Sequence, residues 1–350
     1  MAREFHQLRV SRVEALCADA AAITFEVPAG LRERFVFQPG QALTVRLADA
    51  ARDERRTYSI CSPAGAPPRI GVREVPGGAV SSWLVHGVRA GDVVEVAPPS
   101  GTFTPDLAAG GRHVLVAAGS GITPMLSIAA SLLAVPGAEI AVLYGNRRAD
   151  TVMFAEELAD LKDSWPTRLE VVHLLSREAR ETELLTGRLD AEKLRALLPR
   201  LLDVGQVDHW WLCGPFGMVT DATTVLAEYG VARERIHREL FWVDEPPVPA
   251  ERPETEAGEG TAVTVVLDGR TSAVRVPPGL AVLDGAQRVR PDLPFACKGG
   301  VCGTCRARVT SGEVRMRRNF ALEDEEVAAG YVLTCQAVPM SPDVVVDFDS

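Results

Sequence analysis

A length of 350 residues suits roughly two to three domains, and an apolar share of 47% is enough to build their cores. The formal net charge of −10 argues against nucleic acid as a partner. No run of about 18 apolar residues occurs, so no membrane span is expected, and the amino-terminal MAREFHQLRVSRVEAL lacks the apolar centre of a signal peptide.

In chain order, residues 1–106 read as a small antiparallel barrel. Short β-rich stretches (QALTVRL, RIGVREV, VEVAPPSGTF) recur there, with Gly and Pro at close intervals. Within this block stands RTYS, from Arg56 through Thr57 and Tyr58 to Ser59. Arginine holds phosphate, a tyrosine ring offers a flat face to a flavin, and a serine hydroxyl can bond the ring edge. A strand with a buried tyrosine is the competing reading of the same four residues. The stretch GGAVSSWL adds weight to the first reading. Its Gly78, Val80 and Ser81 open a helix whose backbone amides suit a pyrophosphate.

Residues 110–242 have a different texture. Apolar strands (HVLVAA, EIAVLYGN, RLEVVHLLS, HWWLCGP) alternate with helical stretches (PMLSIAASLL, VMFAEELADLK, DAEKLRALLPRLL), which is the pattern of a parallel α/β sheet. Ligands of such sheets sit at the carboxyl ends of the strands. GSGITP fills that place after the first strand, and Gly119, Gly121, Thr123 and Pro124 are its candidate nucleotide contacts. It departs from G-x-G-x-x-G, since Pro124 stands where the third glycine belongs. Arg147 at one strand end, with Ser176 and Arg177 at the next, suits a 2′-phosphate, where a bare ribose would call for an acid. Cys213, Gly214 and Pro215 close the last core strand with small residues, leaving room for a nicotinamide to approach a flavin. A buried, inert Cys213 is the alternative. Phe241 follows, either covering the flavin or packing a seam.

Residues 243–260 carry four prolines, and their six acids against one arginine give −5, half the net charge. They read as a solvated, flexible linker. In 261–350, TAVTVVLDG and TSAVRVP suggest a hairpin, GLAVLDGAQRV a short helix, and ARVTSGEV a further strand and turn. Between them lies C-x4-C-x2-C, made by Cys297, Cys302 and Cys305, with Cys335 further on. That is the plant-type [2Fe–2S] spacing. Structural zinc is the alternative, although four-cysteine zinc sites usually come as two C-x2-C knuckles. The remaining cysteines, Cys17, Cys61 and Cys213, make no evident disulfide framework, so a cytoplasmic setting is expected. The acids 323–326 (EDEE) either face a partner or open a solvated, capped helix. The six histidines form no metal-binding spacing, and neither a nucleophile elbow nor a phosphate loop with lysine occurs.

Taken together, RTYS, GGAVS, GSGITP, YGNR, CGPFGM and the cysteine cluster resemble the ferredoxin–NADP reductase superfamily fused to a plant-type ferredoxin. Within it, the stretches TGRLDAEKL and ALEDEEVAAGYVLTC are most similar to the reductase subunits of phenylacetyl-CoA epoxidases. The resemblance implies a multidomain chain: a flavin-binding antiparallel β-barrel, an α/β nucleotide domain and an α+β (β-grasp) ferredoxin domain. It implies FAD in preference to FMN, NADPH as electron donor and a [2Fe–2S] cluster on the four cysteines, with Tyr58, Ser59 and Cys213 at the reacting rings. The implied partner is an oxygenase component, a di-iron epoxidase being preferred. Another oxygenase, aromatic-ring or di-iron, and a hybrid-cluster protein are the alternatives.

Overall fold

The computed structural model describes residues 4–48, 53–179, 182–242, 260–295 and 297–350. The acidic stretch expected as a linker, 243–260, lies outside them except for Gly260. The chain divides into two compact units, residues 5–244 and 245–350.

The first unit begins with six strands: β1 (His6–Cys17), β2 (Ala20–Glu26), β3 (Ala42–Ala48), β4 (Asp53–Ser59), β5 (Arg69–Arg73) and β6 (Val93–Val96). They form one antiparallel sheet in the order β4-β3-β6-β1-β2-β5. A bridge between Ile60 and Ile70 joins its two ends and closes the barrel. Alternate residues point inwards, as strand geometry requires: Leu8 and Val10, Ile23 and Phe25, Leu43 and Val45, Ile70 and Val72, Val94 and Val96. Helix α1 (Ala79–Ser82), prolonged by a π-helical turn Trp83–Gly87, packs Val80 and Leu84 into the same core.

The second half of this unit alternates strands and helices. It runs β7 (Gly111–Ala118), α2 (Ile122–Leu133), β8 (Ala138–Asn146), α3 (Ala155–Ser164), β9 (Leu169–Leu175), α4 (Ala191–Leu201), β10 (His209–Pro215), α5 (Phe216–Glu228) and β11 (Ile236–Trp242). The sheet is fully parallel, in the order β11-β10-β7-β8-β9. β7 and β10 are apolar almost throughout because helices cover both faces. The chain leaves β7 in one direction and returns to its other side as β10, so the strand order reverses between them. In open α/β sheets, that point is where ligands bind. Helix α3 starts later than VMFAEEL suggests. Phe154 is left-handed (φ 58°), and its ring meets Arg69 and the backbone at Gly71 of β5.

Barrel and α/β sheet are tied together by polar bonds. The Arg69 guanidinium makes two 2.7 Å bonds to the Glu157 carboxylate, Arg73 donates to the Thr151 carbonyl at 2.6 Å, and Ser127 donates to the Ser62 carbonyl at 2.6 Å. These contacts fix β5 and the segment just after β4 against the α/β half.

The second unit holds β12 (Thr261–Leu267), β13 (Arg270–Val276), α6 (Val282–Ala286), β14 (Arg306–Ser311), β15 (Val314–Met316), α7 (Asp324–Ala328), β16 (Tyr331–Leu333), β17 (Ala337–Pro339) and β18 (Asp343–Asp347). Its main sheet is mixed, in the order β13-β12-β18-β14-β16, with β12 and β18 parallel. Leu283 and Ala286 of α6 pack into the core of this β-grasp module beside Val263, Val265 and Leu333. The acidic 323–326 run caps α7: the Glu323 and Glu326 side chains bond each other's backbone N–H. Glu326 also pairs with Arg306 at 3.0 Å.

Candidate functional site

β4 is held in register by β3, opposite which Arg56, Thr57, Tyr58 and Ser59 face Val45, Thr44, Leu43 and Ala42. The Arg56 guanidinium rests on the Glu54 carboxylate (3.1 Å), and the Thr57 hydroxyl meets that of Thr44 (3.1 Å). Burial pushes the Tyr58 phenol above its ordinary value, so the ring stays neutral. Ser59 is buried, and its Oγ donates to Glu239 of β11 at 3.4 Å. At the start of α1, the Ser81 hydroxyl accepts from the Val75 N–H and donates to the Gly78 carbonyl, both at 3.1 Å. Ser81 therefore shapes this turn through internal bonds. Val80 has its side chain in the barrel core, and the Gly78 N–H is taken by the Val75 carbonyl at 2.8 Å, leaving the backbone N–H of Val80 as a group a pyrophosphate could reach.

Across the seam, the turn after β7 approaches the end of β10 very closely. A Cβ on Gly121 would stand 2.1 Å from the Cys213 carbonyl oxygen, so no side chain fits there. Gly119 is left-handed (φ 56°), and a Cβ there would meet nothing within 4 Å. Its backbone therefore borders open space at the reversal point, the cradle a bound nucleotide needs. Thr123 and Pro124 are buried in α2, and the Thr123 hydroxyl donates to the Ser120 carbonyl at 2.9 Å, so both support the turn from below.

The parallel register of β8 and β9 continues beyond the strands. Ser176 N–H donates to the Asn146 carbonyl (2.9 Å), and Arg177 N–H to that of Arg147 (2.8 Å). The basic and hydroxyl groups expected from separate segments are thus brought side by side. Both arginines are exposed, which suits a phosphate arriving from solvent.

Cys213, fully buried, has its thiol pushed well up, by burial first and by the Glu239 carboxylate second. Gly214 and Pro215 stand where the β10–β11 register shifts. Phe241 is half-buried and packs against the core cluster containing Cys213 and Ala117. Glu239 escaped sequence reasoning. It is the register partner of Cys213 and the hydrogen-bond partner of Ser59, and so joins the two blocks at one point. The one available signal was a lone acid beside the otherwise apolar stretch LFW.

In the second unit, the four cysteines stand as two neighbouring pairs, Cys297 beside Cys302 and Cys305 beside Cys335. The Cys302 thiol, then the amides of Gly299 and Val301, hold the Cys297 thiol below its ordinary value against burial. The Cys305 thiol and then the Gln336 side chain do the same for Cys335. Gly299 N–H lies 3.3 Å from the Cys297 sulfur, and Gln336 Nε2 lies 3.6 Å from that of Cys335. Lys298 is left-handed (φ 51°) and tied to Asp284 at 2.9 Å and Gln287 at 2.8 Å, which turns the loop's amides towards sulfur. Among the described residues, no three of His, Cys, Asp and Glu close on one point as the ligands of a single ion would. Two thiol pairs with amide donors at sulfur fit a dinuclear iron–sulfur core, one pair to each iron, better than a lone zinc ion.

Sequence-family models match the three blocks in order: an oxidoreductase FAD-binding domain over 7–104, an oxidoreductase NAD-binding domain over 115–224 and a 2Fe-2S iron-sulfur cluster binding domain over 265–340. The chain is 42% identical to one of the subunits of 1,2-phenylacetyl-CoA epoxidase from Escherichia coli, over 99% of this chain and 98% of that one. It is 34% identical to the ferredoxin reductase component of 3-ketosteroid-9-alpha-monooxygenase from Rhodococcus rhodochrous, over 97% and 96%. In fold it is similar to phthalate dioxygenase reductase, with a TM-score of 0.64 at 24% identity and 98% coverage of both chains.

Proposed function

This chain belongs to the family of oxygenase reductases that join FAD-binding, NAD-binding and 2Fe-2S domains on one polypeptide, and from that premise we propose that it passes electrons from NADPH to a phenylacetyl-CoA epoxidase. The observation that carries the site is the meeting of Ser59, Cys213 and Glu239 at the seam, where the two cofactor-binding blocks touch. The client rests on the 42% identity to an epoxidase component over nearly the whole chain. A di-iron epoxidase is the partner we assign. A cytoplasmic setting is supported by seven free cysteines.

When bound, FAD would supply a two-electron acceptor for NADPH and the [2Fe–2S] cluster a one-electron carrier. The chain's own residues bind, orient and exclude water. Arg147, Ser176 and Arg177 take the 2′-phosphate, and the Gly119–Gly121 turn takes the pyrophosphate. Tyr58 and Ser59 would hold the flavin ring, the tyrosine by its flat face and the serine by its hydroxyl. Glu239 accepts the Ser59 proton at Oε2 and so orients the hydroxyl; the 3.4 Å separation leaves this bond long, to tighten with the ligands in place. Cys213, neutral and fully buried, would back the point of contact from inside the core and keep water out of it. Cys297, Cys302, Cys305 and Cys335 would hold the cluster.

The reading is tested by adding the purified protein to a di-iron phenylacetyl-CoA epoxidase with NADPH. Epoxide formation coupled to NADPH consumption is expected. Support of a steroid or aromatic-ring oxygenase, with none for the epoxidase, would leave the family assignment intact and overturn the client.

A further inference from the structure

We propose that Tyr144 of β8 is the positioning residue of the nucleotide-binding turn, acting through the Gly119 carbonyl; this rests on the reading of that turn as the nucleotide site. The ring is fully buried, one strand away from β7, and Ala117 is its register partner. Its hydroxyl lies 3.0 Å from the Gly119 carbonyl oxygen and 3.5 Å from that of Met153. A phenol has one proton to donate, and the shorter distance gives it to Gly119.

The consequence follows from peptide geometry. In a planar trans peptide the C=O and the next N–H point in opposite directions. Pinning the Gly119 carbonyl inwards, towards β8, therefore turns the Ser120 N–H the other way, out of the sheet. That is the orientation an anionic pyrophosphate requires of a strand-to-helix turn. The Ile122 N–H also reaches the Gly119 carbonyl, so the phenol is a second donor to this acceptor and fixes its direction at a left-handed glycine (φ 56°) that has no side chain of its own to hold it.

Asn146, two positions after Tyr144 on the same strand, is only 8% exposed and lies against the Tyr144 hydroxyl, so both side chains are closed to solvent and act on the turn from within.

The test uses the holoprotein and Tyr144→Phe, which keeps the ring and its packing and removes only the hydroxyl. Losing one hydrogen bond of ordinary net strength should raise KM for NADPH, and Kd for NADP+, about three- to tenfold. The value of kcat should stay within about twofold, because the hydroxyl touches no reacting atom. Flavin content and Tm should stay those of the parent. A parallel variant, Gly119→Ala, sets a methyl where the ligand would lie and also strains the left-handed backbone there, a loss that Tm reads separately from KM. If Gly119→Ala raises KM and Tyr144→Phe does not, the positioning role is overturned and the nucleotide site stands. If neither changes KM, the nucleotide reading of the turn fails. If Tyr144→Phe lowers Tm and kcat together with affinity, the hydroxyl is a structural bond and the inference is wrong.

Discussion

Three histidines on neighbouring parallel strands make the first unit sensitive to acid. His113 of β7, His209 of β10 and His237 of β11 gather around Trp211, which stacks on His237 with ring centroids 4.1 Å apart. Trp211 donates to His113 Nδ1 at 3.2 Å, and His113 Nε2 meets the Gly110 carbonyl at 2.8 Å, which fixes His113 as a neutral imidazole. His209 Nδ1 and His237 Nε2 lie 3.1 Å apart and share a single hydrogen. Burial, then His209, then His113 push the His237 imidazole from 6.5 down to about 4. Since the folded value lies below the unfolded one, the unfolded chain takes up the proton first. Stability is then full above the unfolded value of 6.5 and is lost as pH falls towards about 4.

A shift of that size corresponds to about 3 kcal/mol. The ring is only partly buried, so solvent screening reduces the figure to about 1–2 kcal/mol. The perturbation that isolates it is His237→Gln, which cannot take up a proton. Urea unfolding of parent and variant is compared between about pH 7.5 and 4.5, with amide exchange of β10 and β11 as the local probe. Carboxylates titrate in both proteins and cancel in the difference. The parent should lose about 1–2 kcal/mol more than the variant over this range. Parallel pH curves, or a variant that loses more than the parent, would refute the reasoning.

The close approach of turn and strand predicts that Gly121→Ala costs about 1–3 kcal/mol and weakens NADPH binding, since the new Cβ would meet the Cys213 carbonyl at 2.1 Å; Tm and KM measured together check it, and an unchanged pair would show that the two loops can part freely. Arg177→Ala should raise KM for NADPH about ten- to a hundredfold and leave that for NADH unmoved, the loss expected of one charge-assisted bond to the 2′-phosphate. An equal change with both nucleotides, or a parent that prefers NADH, would show that Arg147 and Arg177 are solvated surface residues.

The parts of the site readable in the sequence are those written within a single segment. Three cluster cysteines share one loop, and a strand, a glycine turn and a helix follow one another in VLVAAGSGITP. Hydroxyls were harder to interpret, because capping a turn and binding a ligand use the same chemistry. Ser81 and Thr123, expected at the cofactor sites, donate their hydroxyls to the carbonyls of Gly78 and Ser120.

Least legible was whatever depends on strand register. Glu239 has meaning only opposite Cys213 and beside Ser59, which lies 180 residues earlier in the chain. The three histidines share no sequence spacing, and meet because His113 and His209 are register partners on β7 and β10 while His237 sits beside Trp211 on β11. Tyr144 reads locally as one more apolar residue in EIAVLYGN, and its hydroxyl acquires a task only when β7 lies alongside. In a parallel sheet every neighbour is reached through a crossover of a dozen residues or more, so side chains at equal height are remote in sequence. A local motif therefore reveals which ligand is bound, while the residues that orient the binding groups are set by register.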